Sequence, residues 1–236
     1  ANNPAPAATG PPPGDPLLDG ADPLLARIYA LMYERLGPRG WWPAKTKFEV
    51  CVGAILTQNT AWKNVRRAIA NLRDAGRLSP RSIHETSHGE LAELIVPSGY
   101  YNVKAKRLKN FVSMVMDDYG GSLRRLFSAP AMELREVLLA VNGVGMETAD
   151  SMVLYAAEKP VFVVDAYTRR IGSLHGLFPQ DADYETMRMY FTQRLPEDVP
   201  LYNEYHALIV GVGYQWCRGG KQRNCAECPL GPLLGD

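Results

Sequence analysis

The feature that most constrains this chain is a glycine-containing break between two apolar helical patterns. The stretch from Leu138 to Asp165 reads LLAVNGVGMETADSMVLYAAEKPVFVVD. Apolar residues at helical spacing end at Val141, and a second apolar helical pattern follows Gly145. Between the two patterns, glycines can adopt backbone conformations that larger residues avoid. The stretch therefore predicts two helices joined by a turn that is too tight for large side chains.

The predicted turn offers a place where an anion could bind. The first N–H groups of a helix have no partner within the helix, and they lie at the positive end of its dipole. Gly143 and Gly145 would also let another molecule approach the main chain closely. A phosphate group suits such a turn. The alternative is an ordinary helix-helix turn that binds nothing.

A carboxylate follows the second helical pattern, at the end of a short apolar run. Residues 161–164 read VFVV and are followed by Asp165. Taken alone, such an aspartate is more often a helix cap or a buried hydrogen-bond acceptor than a catalyst. Combined with the glycine turn, it suggests that the hairpin holds a nucleic-acid backbone while Asp165 acts on a nucleotide beside it.

Length, composition and net charge limit the possible domain organisation and the possible sources of DNA affinity. The chain has 236 residues and 46% hydrophobic composition, enough for a substantial core in one large domain or two small ones. Its net charge of +1 gives no general cationic field, so DNA affinity would have to come from local patches. Residues 1–21 are rich in proline, alanine and glycine, which predicts a disordered tail.

The sequence does not suggest a membrane protein. No apolar run approaches the length that spans a bilayer. The first residues, ANNPAPAATGPPPGDP, have neither the basic flank nor the apolar stretch of a secretory signal. We therefore expect a soluble cytoplasmic protein that associates with the nucleoid through DNA.

Helical patterns account for most of the remaining chain, so the predicted fold class is all-α. Asp22 precedes Pro23 in the arrangement typical of a helix N-terminus. The almost wholly apolar run 48–55 predicts a buried helix, in which Cys51 would act as a small hydrophobic residue and not as a metal ligand. Further helical patterns cover residues 65–72, 83–95, 104–119, 123–127 and 132–141.

Four blocks of sequence together resemble a known family. They are ILTQNT at 55–60, GYYNVKAK at 99–106, the hairpin with its aspartate, and a cysteine-containing C-terminal stretch. In this order they are similar to the endonuclease III superfamily of base-excision DNA glycosylases. The resemblance implies a two-lobed all-α fold with a helix-hairpin-helix motif and a C-terminal iron-sulfur cluster loop. It assigns 45–159 to a six-helix barrel domain, and 22–44 together with 160–236 to a cluster-containing helical domain.

The resemblance also implies roles in DNA binding. The partner would be double-stranded DNA containing damaged bases, from which the damaged nucleotide is rotated outward, and a monomer is the default expectation. Gln58 matches the side chain that fills the gap left in the duplex. Ala61 stands where many relatives carry an aspartate, which leaves base specificity open. The expected DNA-binding residues are Gln58, Asn59, Lys104, Lys106, Gly143, Val144, Gly145 and Thr148.

Two carboxylates are the candidate catalytic residues. By resemblance, Asp165 stabilises the positive charge that develops on the sugar as the N-glycosidic bond breaks, and it orients the nucleophile. Glu147 stands where bifunctional relatives carry a lysine whose amine forms a Schiff base with the sugar. Because a carboxylate cannot form an imine, we expect weak or no AP lyase activity, unless another amine such as Lys159 substitutes. If the two carboxylates face each other, repulsion would raise the pKa of one of them.

A cluster of cysteines near the C-terminus predicts a metal site. Three of the four cysteines lie in the last twenty residues, two of them as C-x2-C. The family's loop reads C-x6-C-x2-C-x5-C and binds a [4Fe–4S] cluster, whereas here the first gap has seven residues and Leu234 takes the fourth position. We expect a cluster on Cys217, Cys225 and Cys228. Asp236, water or a small thiol would complete it. The alternatives are a zinc site completed by a carboxylate or histidine, and no metal.

Three functions are compatible with the sequence. The favoured one is a base-excision N-glycosylase of the endonuclease III type that removes oxidised pyrimidines. An alkylpurine glycosylase is the first alternative, and the segment Trp41-Trp42-Pro43 together with Glu147 lends it some support. The second alternative is a damaged-DNA-binding module without catalysis. The missing lysine and fourth cysteine favour that module, and the presence of Asp165 argues against it.

Overall fold

The chain folds from α-helices and short connections. The computed structural model describes residues 16–219 and 223–234. Within these ranges the only β-type pairing is one isolated bridge between Cys217 and Arg223, so the all-α prediction is confirmed. The α-helices are α1 Pro23–Leu36, α2 Lys47–Leu56, α3 Trp62–Asp74, α4 Pro80–Glu85, α5 His88–Leu94, α6 Tyr101–Tyr119, α7 Leu123–Leu126, α8 Ala131–Leu139, α9 Met146–Ser151, α10 Ala166–Leu174, α11 Tyr184–Thr192 and α12 Val199–Gln215.

Shorter helical turns complete the secondary structure. A π-helical segment, Met152–Ala156, continues directly from α9, and 3₁₀ helices form at Pro16–Leu18, Val96–Ser98 and Gly231–Leu233. Across the described part of the chain, no helix combines the length and apolarity needed to cross a membrane.

The N-terminal tail is ordered over its last residues. Of the predicted disordered tail 1–21, residues 1–15 lie outside the described part of the chain. Pro16–Leu18 forms a 3₁₀ helix that packs against α12, and the Asp22 N–H donates to the Arg194 carbonyl at 2.7 Å. The prediction of disorder is therefore wrong for residues 16–21, because packing onto α12 offsets the poor local composition.

The chain divides into two compact units. The central unit comprises residues 42–159, and the terminal unit comprises residues 1–41 together with 160–236. The sequence-based domain assignment divides the chain after residues 44 and 159, whereas the compact units divide after residues 41 and 159. The first and the last described residues therefore belong to one unit, and the glycine turn belongs to the other.

The central unit is built around α2. Residues 48–56 of this helix are all buried, as the apolar run predicts, and α3, α6, α9 and the π-helical segment pack against it. Glu49 is also buried on α2, where its carboxylate accepts a hydrogen bond from Arg73 at 2.7 Å. Burial raises the pKa of the Cys51 thiol, which keeps it neutral and fits its expected packing role.

The helical pattern over 83–95 forms two helices instead of one. α4 ends at Glu85, and Ser87 caps the start of α5 by accepting a hydrogen bond from the Glu90 N–H at 3.2 Å. Lys109 on α6 donates to three carbonyls at the end of α4, among them that of His84 at 2.7 Å. The apolar pattern continues from α4 into α5 because both short helices bury their apolar residues against α6.

The terminal unit is built around α12. Helices α1 and α10 pack against it, and Tyr205 on α12 donates its hydroxyl to the Leu25 carbonyl at 3.0 Å. The apolar run 161–164 lies outside the helices and is buried, and its Phe162 ring stacks on Phe191 with centroids 4.2 Å apart. This buried run fixes where Asp165 leaves the interior and α10 begins.

Candidate nucleic-acid interface and catalytic carboxylate

The glycine turn between α8 and α9 has the tight geometry that the sequence predicts. Gly143 adopts a positive φ of 98°, and the Val144 N–H donates to the Val141 carbonyl at 3.0 Å. Gly145 precedes α9 in extended conformation without a side-chain cap, and no atom lies within 4 Å of where its Cβ would be. The main chain at Gly145 is therefore open to an approaching group.

The side chain of Gln58 is bound to this turn. Its Nε2 atom donates to the Gly143 carbonyl at 3.1 Å and to Thr148 Oγ1 at 2.9 Å. Arg107 on α6 donates to the Gln58 Oε1 atom and lies under Gly143, where a Cβ would overlap its side chain. To fill a gap in a duplex, Gln58 would have to leave these partners, so that role stays a prediction.

A buried ion pair joins the two helices of the hairpin. Arg135 on α8 donates from Nε to Asp150 Oδ1 at 2.6 Å, and their side chains are 9% and 0% exposed. Asn110 on α6 adds a hydrogen bond to the Asn142 carbonyl at 2.9 Å. Side chains from α6, α8, α9 and the loop after α2 therefore hold the turn in place through these contacts.

The other predicted DNA-binding residues differ in how exposed their side chains are. Asn59 and Lys106 are exposed, and Asn59 adopts a left-handed φ of 53°, a conformation that asparagine tolerates well. Val144 and Thr148 are buried within the hairpin. They can contribute main-chain groups or support to the turn, whereas Asn59 and Lys106 can reach solvent.

The structure corrects the expected phosphate contact of Lys104. Its side chain is only 1% exposed, and its Nζ donates to the Leu56 carbonyl at 2.8 Å and the Ser98 carbonyl at 2.7 Å. Burial, reinforced by the nearby charge of Arg107, lowers its pKa from 10.5 to about 8. Lys104 shares the inward face of α6 with Leu108, so it ties α6 to the end of α2.

An exposed aromatic residue lies at the start of α6. Tyr100 is 72% exposed and adopts a left-handed φ of 48° just before the helix, and the neighbouring Tyr101 is 40% exposed. Large exposed rings favour contact with another molecule, and aromatic side chains stack on unpaired bases. The sequence shows both rings, but the exposure that makes Tyr100 a candidate follows from its backbone conformation.

The carboxylate of Asp165 caps α10. Its Oδ1 atom accepts hydrogen bonds from the Thr168 N–H at 2.7 Å and from Thr168 Oγ1 at 2.9 Å. Its Oδ2 atom lies 3.9 Å from Nε2 of His206, and 14% of the Asp165 side chain is exposed. The capping role is therefore present, and it fixes the carboxylate without enclosing it completely.

His206 is a site residue that sequence reasoning missed. It lies on α12 with only 7% of its side chain exposed. Burial lowers its pKa, and the negative charge of Asp165 opposes that shift. Its only sequence signal is a histidine within the largely apolar stretch YHALIVGVG, a pattern that does not reveal which residue it faces.

The cysteines lie in the loop that follows α12. Cys217 is buried, Cys228 is partly buried and Cys225 is exposed, and burial raises the pKa of the Cys217 and Cys228 thiols. The loop is held by the Asn224 N–H, which donates to the Trp216 carbonyl at 2.8 Å. The predicted ligand Asp236 lies outside the described residues.

Comparison with known proteins identifies the family. Residues 52–197 match the model of the HhH-GPD superfamily of base excision DNA repair proteins. The chain belongs to this superfamily. The predicted resemblance to the endonuclease III type of helix-hairpin-helix glycosylase is thereby confirmed.

Individual members of the superfamily match over most of their length. An inferred DNA repair glycosylase of Methanocaldococcus jannaschii is 45% identical over 208 residues, which cover 88% of this chain and 94% of the relative. The H. pylori 3-methyladenine DNA glycosylase bound to 1,N6-ethenoadenine gives a TM-score of 0.71 at 30% identity, over 81% of this chain and 96% of that structure. A non-covalent endonuclease III–DNA complex gives a TM-score of 0.77 at 21% sequence identity, over 89% of this chain and 94% of that structure. The two proteins therefore share the fold.

Glu147 is the position at which this member of the superfamily departs from the pattern of bifunctional relatives. It is exposed in the first turn of α9, where a negative charge interacts favourably with the helix dipole. It belongs to the central unit, whereas Asp165 belongs to the terminal unit. Mutual perturbation of the two carboxylates therefore stays a prediction.

Proposed function

We propose that this chain is a monofunctional DNA N-glycosylase that excises damaged bases from duplex DNA. The proposal rests on the position of the Asp165 carboxylate. Thr168 donates two hydrogen bonds to its Oδ1 atom, and 14% of the side chain remains exposed. Breaking an N-glycosidic bond builds positive charge on the sugar. A carboxylate with a fixed orientation stabilises that charge without first having to reorganise.

The two carboxylate oxygens of Asp165 have different roles in the proposed reaction. Both hydrogen bonds from Thr168 reach Oδ1, which sets the plane of the carboxylate group. Oδ2 then serves the reaction, by facing the sugar or by accepting a proton from the attacking water. His206 lies on the Oδ2 side, with its Nε2 atom 3.9 Å from that oxygen.

Binding of the duplex is assigned to the central unit. The open main chain at Gly145 suits a phosphate oxygen, and the exposed Lys106 and Asn59 supply a cation and an amide on the same unit. Rotating a base outward costs a few kcal/mol in lost stacking. The exposed ring of Tyr100 can offset part of this loss by stacking on the bases of the duplex. DNA bound to the similar endonuclease III structure supports this assignment.

The product is expected to be an abasic site with an intact strand. Glu147 replaces the amine that would form a Schiff base, so water is the nucleophile. Strand cleavage would then require a separate treatment, such as hot alkali.

The test is excision from duplexes that carry thymine glycol, 3-methyladenine or an abasic site, with and without hot alkali. Product that appears only after alkali supports the proposal. Strand cleavage without alkali shows that another amine, such as Lys159, acts as nucleophile. Binding without product on any lesion identifies a damaged-DNA-binding module and overturns the proposal.

The catalytic carboxylate is tested with Asp165→Asn. Binding of lesion DNA should change little, while base release should fall by roughly 10²–10³-fold, as when a transition-state stabilising group is lost. Asp183→Asn is the matched control, because Asp183 caps α11 with the same geometry and accepts from the Thr186 N–H at 2.7 Å. Base release by Asp165→Asn at the parent rate would overturn the assignment.

An alkylpurine substrate is the second candidate, and a cluster of aromatic rings favours it. Trp42 packs edge-on to Trp62 with centroids 5.1 Å apart, and its centroid lies 5.2 Å from that of Tyr155. Electron-rich ring faces attract cationic bases such as alkylated purines. The 30% identical H. pylori structure is a 3-methyladenine glycosylase, which supports this candidate over oxidised pyrimidines. Trp42→Ala should then reduce release of 3-methyladenine more than release of thymine glycol.

A further inference from the structure

One cavity of the terminal unit is lined by three thiols and one imidazole. Cys217, Cys225, Cys228 and His175 all line it. The other described lining residues carry apolar side chains or none at all, and they include Leu234. Leu234 is the residue that stands where the endonuclease III pattern has its fourth cysteine. In the described part of the chain, His175 is therefore the one lining side chain besides the thiols that could bind a metal.

The imidazole of His175 has an unused nitrogen. Its Nδ1 atom is buried, and no described group forms a hydrogen bond with it. A buried polar atom without a partner costs about 1–3 kcal/mol. The position of the residue is fixed by its backbone, because His175 ends α10 and its N–H donates to the Ile171 carbonyl at 3.0 Å. Because His175 lines the cavity that the three thiols also line, this nitrogen is available to a partner of a different kind, such as a metal.

The donor chemistry fits a thiolate-bound metal. Cysteine sulfur and imidazole nitrogen together bind zinc, and they also bind iron-sulfur clusters in which histidine replaces cysteine. Arg170 holds the loop from α10 by donating to the Cys217 carbonyl.

The side chains are not yet gathered around one point. Within the described residues, no set of three or more histidine, cysteine, aspartate or glutamate side chains is arranged to hold a metal ion. Cys225 is exposed, on the loop that follows α12. In the proposed site, metal binding would bring the thiols of this loop together, whereas His175 lies at the end of α10.

We propose that Nδ1 of His175 is the fourth protein ligand of a metal centre whose other ligands are Cys217, Cys225 and Cys228. The superfamily pattern makes a [4Fe–4S] cluster the expected occupant, and zinc is the other metal that this ligand set accepts. The proposal replaces Asp236 as the fourth ligand. It concerns the terminal unit alone and does not depend on catalysis by Asp165.

The test measures metal and spectra of the full chain purified without oxygen. Iron, sulfide and zinc per chain are determined, together with the visible spectrum and the pulsed EPR spectrum of the reduced protein. A nitrogen hyperfine coupling that changes when histidine is labelled with ¹⁵N is expected for the parent. For a zinc centre, the cobalt-substituted protein should show the spectrum of three sulfur ligands and one nitrogen ligand.

Four variants separate ligation from folding. His175→Ala should lose the nitrogen signal and release metal to a chelator roughly tenfold faster or more. His175→Cys should retain metal with an all-sulfur spectrum, and Leu234→Cys in the His175→Ala background should restore retention. His84→Ala is the control, because His84 is exposed on α4 of the central unit.

Specific results would overturn the proposal. It fails if the parent takes up neither iron nor zinc on reconstitution, or if His175→Ala keeps the same metal content, release rate and spectrum. It also fails if His175→Ala loses metal while the parent shows no nitrogen coupling, since the histidine would then act only through packing. Because these readouts do not involve DNA, failure here leaves the proposed glycosylase activity untouched.

Discussion

Gln58 donates a hydrogen bond from Nε2 to the carbonyl of Gly143 at 3.1 Å. This bond ties the loop after α2 to the turn between α8 and α9, and Arg107 holds the other end of the same amide. The amide of Gln58 therefore connects three segments of the central unit. Its orientation, with Nε2 toward the two acceptors, is the one that satisfies both ends.

The first prediction concerns this amide. Gln58→Leu keeps the approximate size of the side chain but leaves the Gly143 carbonyl and Arg107 without this partner. We expect a loss of about 1–2 kcal/mol in the free energy of unfolding, together with slower base excision. Urea unfolding and single-turnover excision measure the two effects. Gln193→Leu is the control, because Gln193 is exposed at the end of α11. A Gln58→Leu variant as stable as the parent would show that these hydrogen bonds contribute nothing net.

The second prediction concerns the two glycines of the turn, which differ in what surrounds them. Gly143 has a φ of 98° and Arg107 fills the place of its Cβ, whereas Gly145 has an ordinary φ of −94° and open space. Gly143→Ala should destabilise the chain by about 1–3 kcal/mol through backbone strain and displacement of Arg107. Gly145→Ala should change stability by less than about 0.5 kcal/mol.

Comparison of these two variants also tests the phosphate contact. If the main chain at Gly145 receives a phosphate, Gly145→Ala should weaken binding of duplex DNA without altering the unfolding curve. Binding is followed by fluorescence anisotropy at fixed salt concentration, because phosphate contacts are strongly salt-dependent. Equal destabilisation by both alanine substitutions would contradict the geometry described for the turn.

Local patterns were sufficient to predict several parts of the fold. The apolar run 48–55 predicts a buried helix because a helix without a polar face has to be buried on all sides, and α2 is such a helix. The turn at Gly143 could be predicted because few residues other than glycine adopt its φ. An aspartate before a helical pattern also predicts an N-terminal cap, and the cap at Asp165 coexists with partial exposure of its side chain.

Other features depend on contacts between distant residues, which local patterns do not contain. Lysine usually faces solvent, so the burial of Lys104 could be recognised only from its place on the inward face of α6. The pairing of His206 with Asp165 joins residues 41 positions apart, and that of Gln58 with Gly143 joins residues 85 positions apart. The resemblance assigns the amide of Gln58 to the gap in the duplex, and nothing local reveals the acceptors that this amide has in the structure.

The third prediction is a pH dependence that arises from Lys104. Its pKa falls from 10.5 to about 8 on folding, so between these values the unfolded chain binds a proton that the folded chain has released. Unfolding then takes up a proton, and stability rises with pH across this window. Below pH 8 both states are protonated and this contribution is constant. The increase should reach at most about 3 kcal/mol by pH 10.5.

The measurement is the difference in unfolding free energy between the parent and Lys104→Met at several pH values from 7 to 10.5. Taking the difference removes contributions from tyrosines and cysteines, which titrate in both proteins. We expect the parent to gain stability relative to the variant as pH rises. Lys106→Met is the control, since Lys106 is exposed on the same helix and should give a flat difference. A flat difference for Lys104→Met would show that its amine is not desolvated.

The last prediction concerns the hydroxyl of Thr168, which donates to Asp165 Oδ1 at 2.9 Å. Thr168→Val keeps the backbone hydrogen bond at 2.7 Å and the buried volume but removes this second donor. The carboxylate can then rotate more freely, and loss of one such hydrogen bond, worth about 1 kcal/mol, should slow base excision roughly fivefold. Binding of lesion DNA should be unchanged, because Thr168 is buried.

Thr186→Val separates this effect from loss of a helix cap. Thr186 follows the capping residue Asp183 at the same spacing and donates its N–H to Asp183 Oδ1 at 2.7 Å, so the control removes a hydroxyl from the same cap position of another helix. Single-turnover excision should fall in Thr168→Val alone, while both variants show similar small losses in unfolding free energy. If the two variants slow excision equally, the effect arises from helix stability, and the fixed orientation of the Asp165 carboxylate is not what the reaction requires.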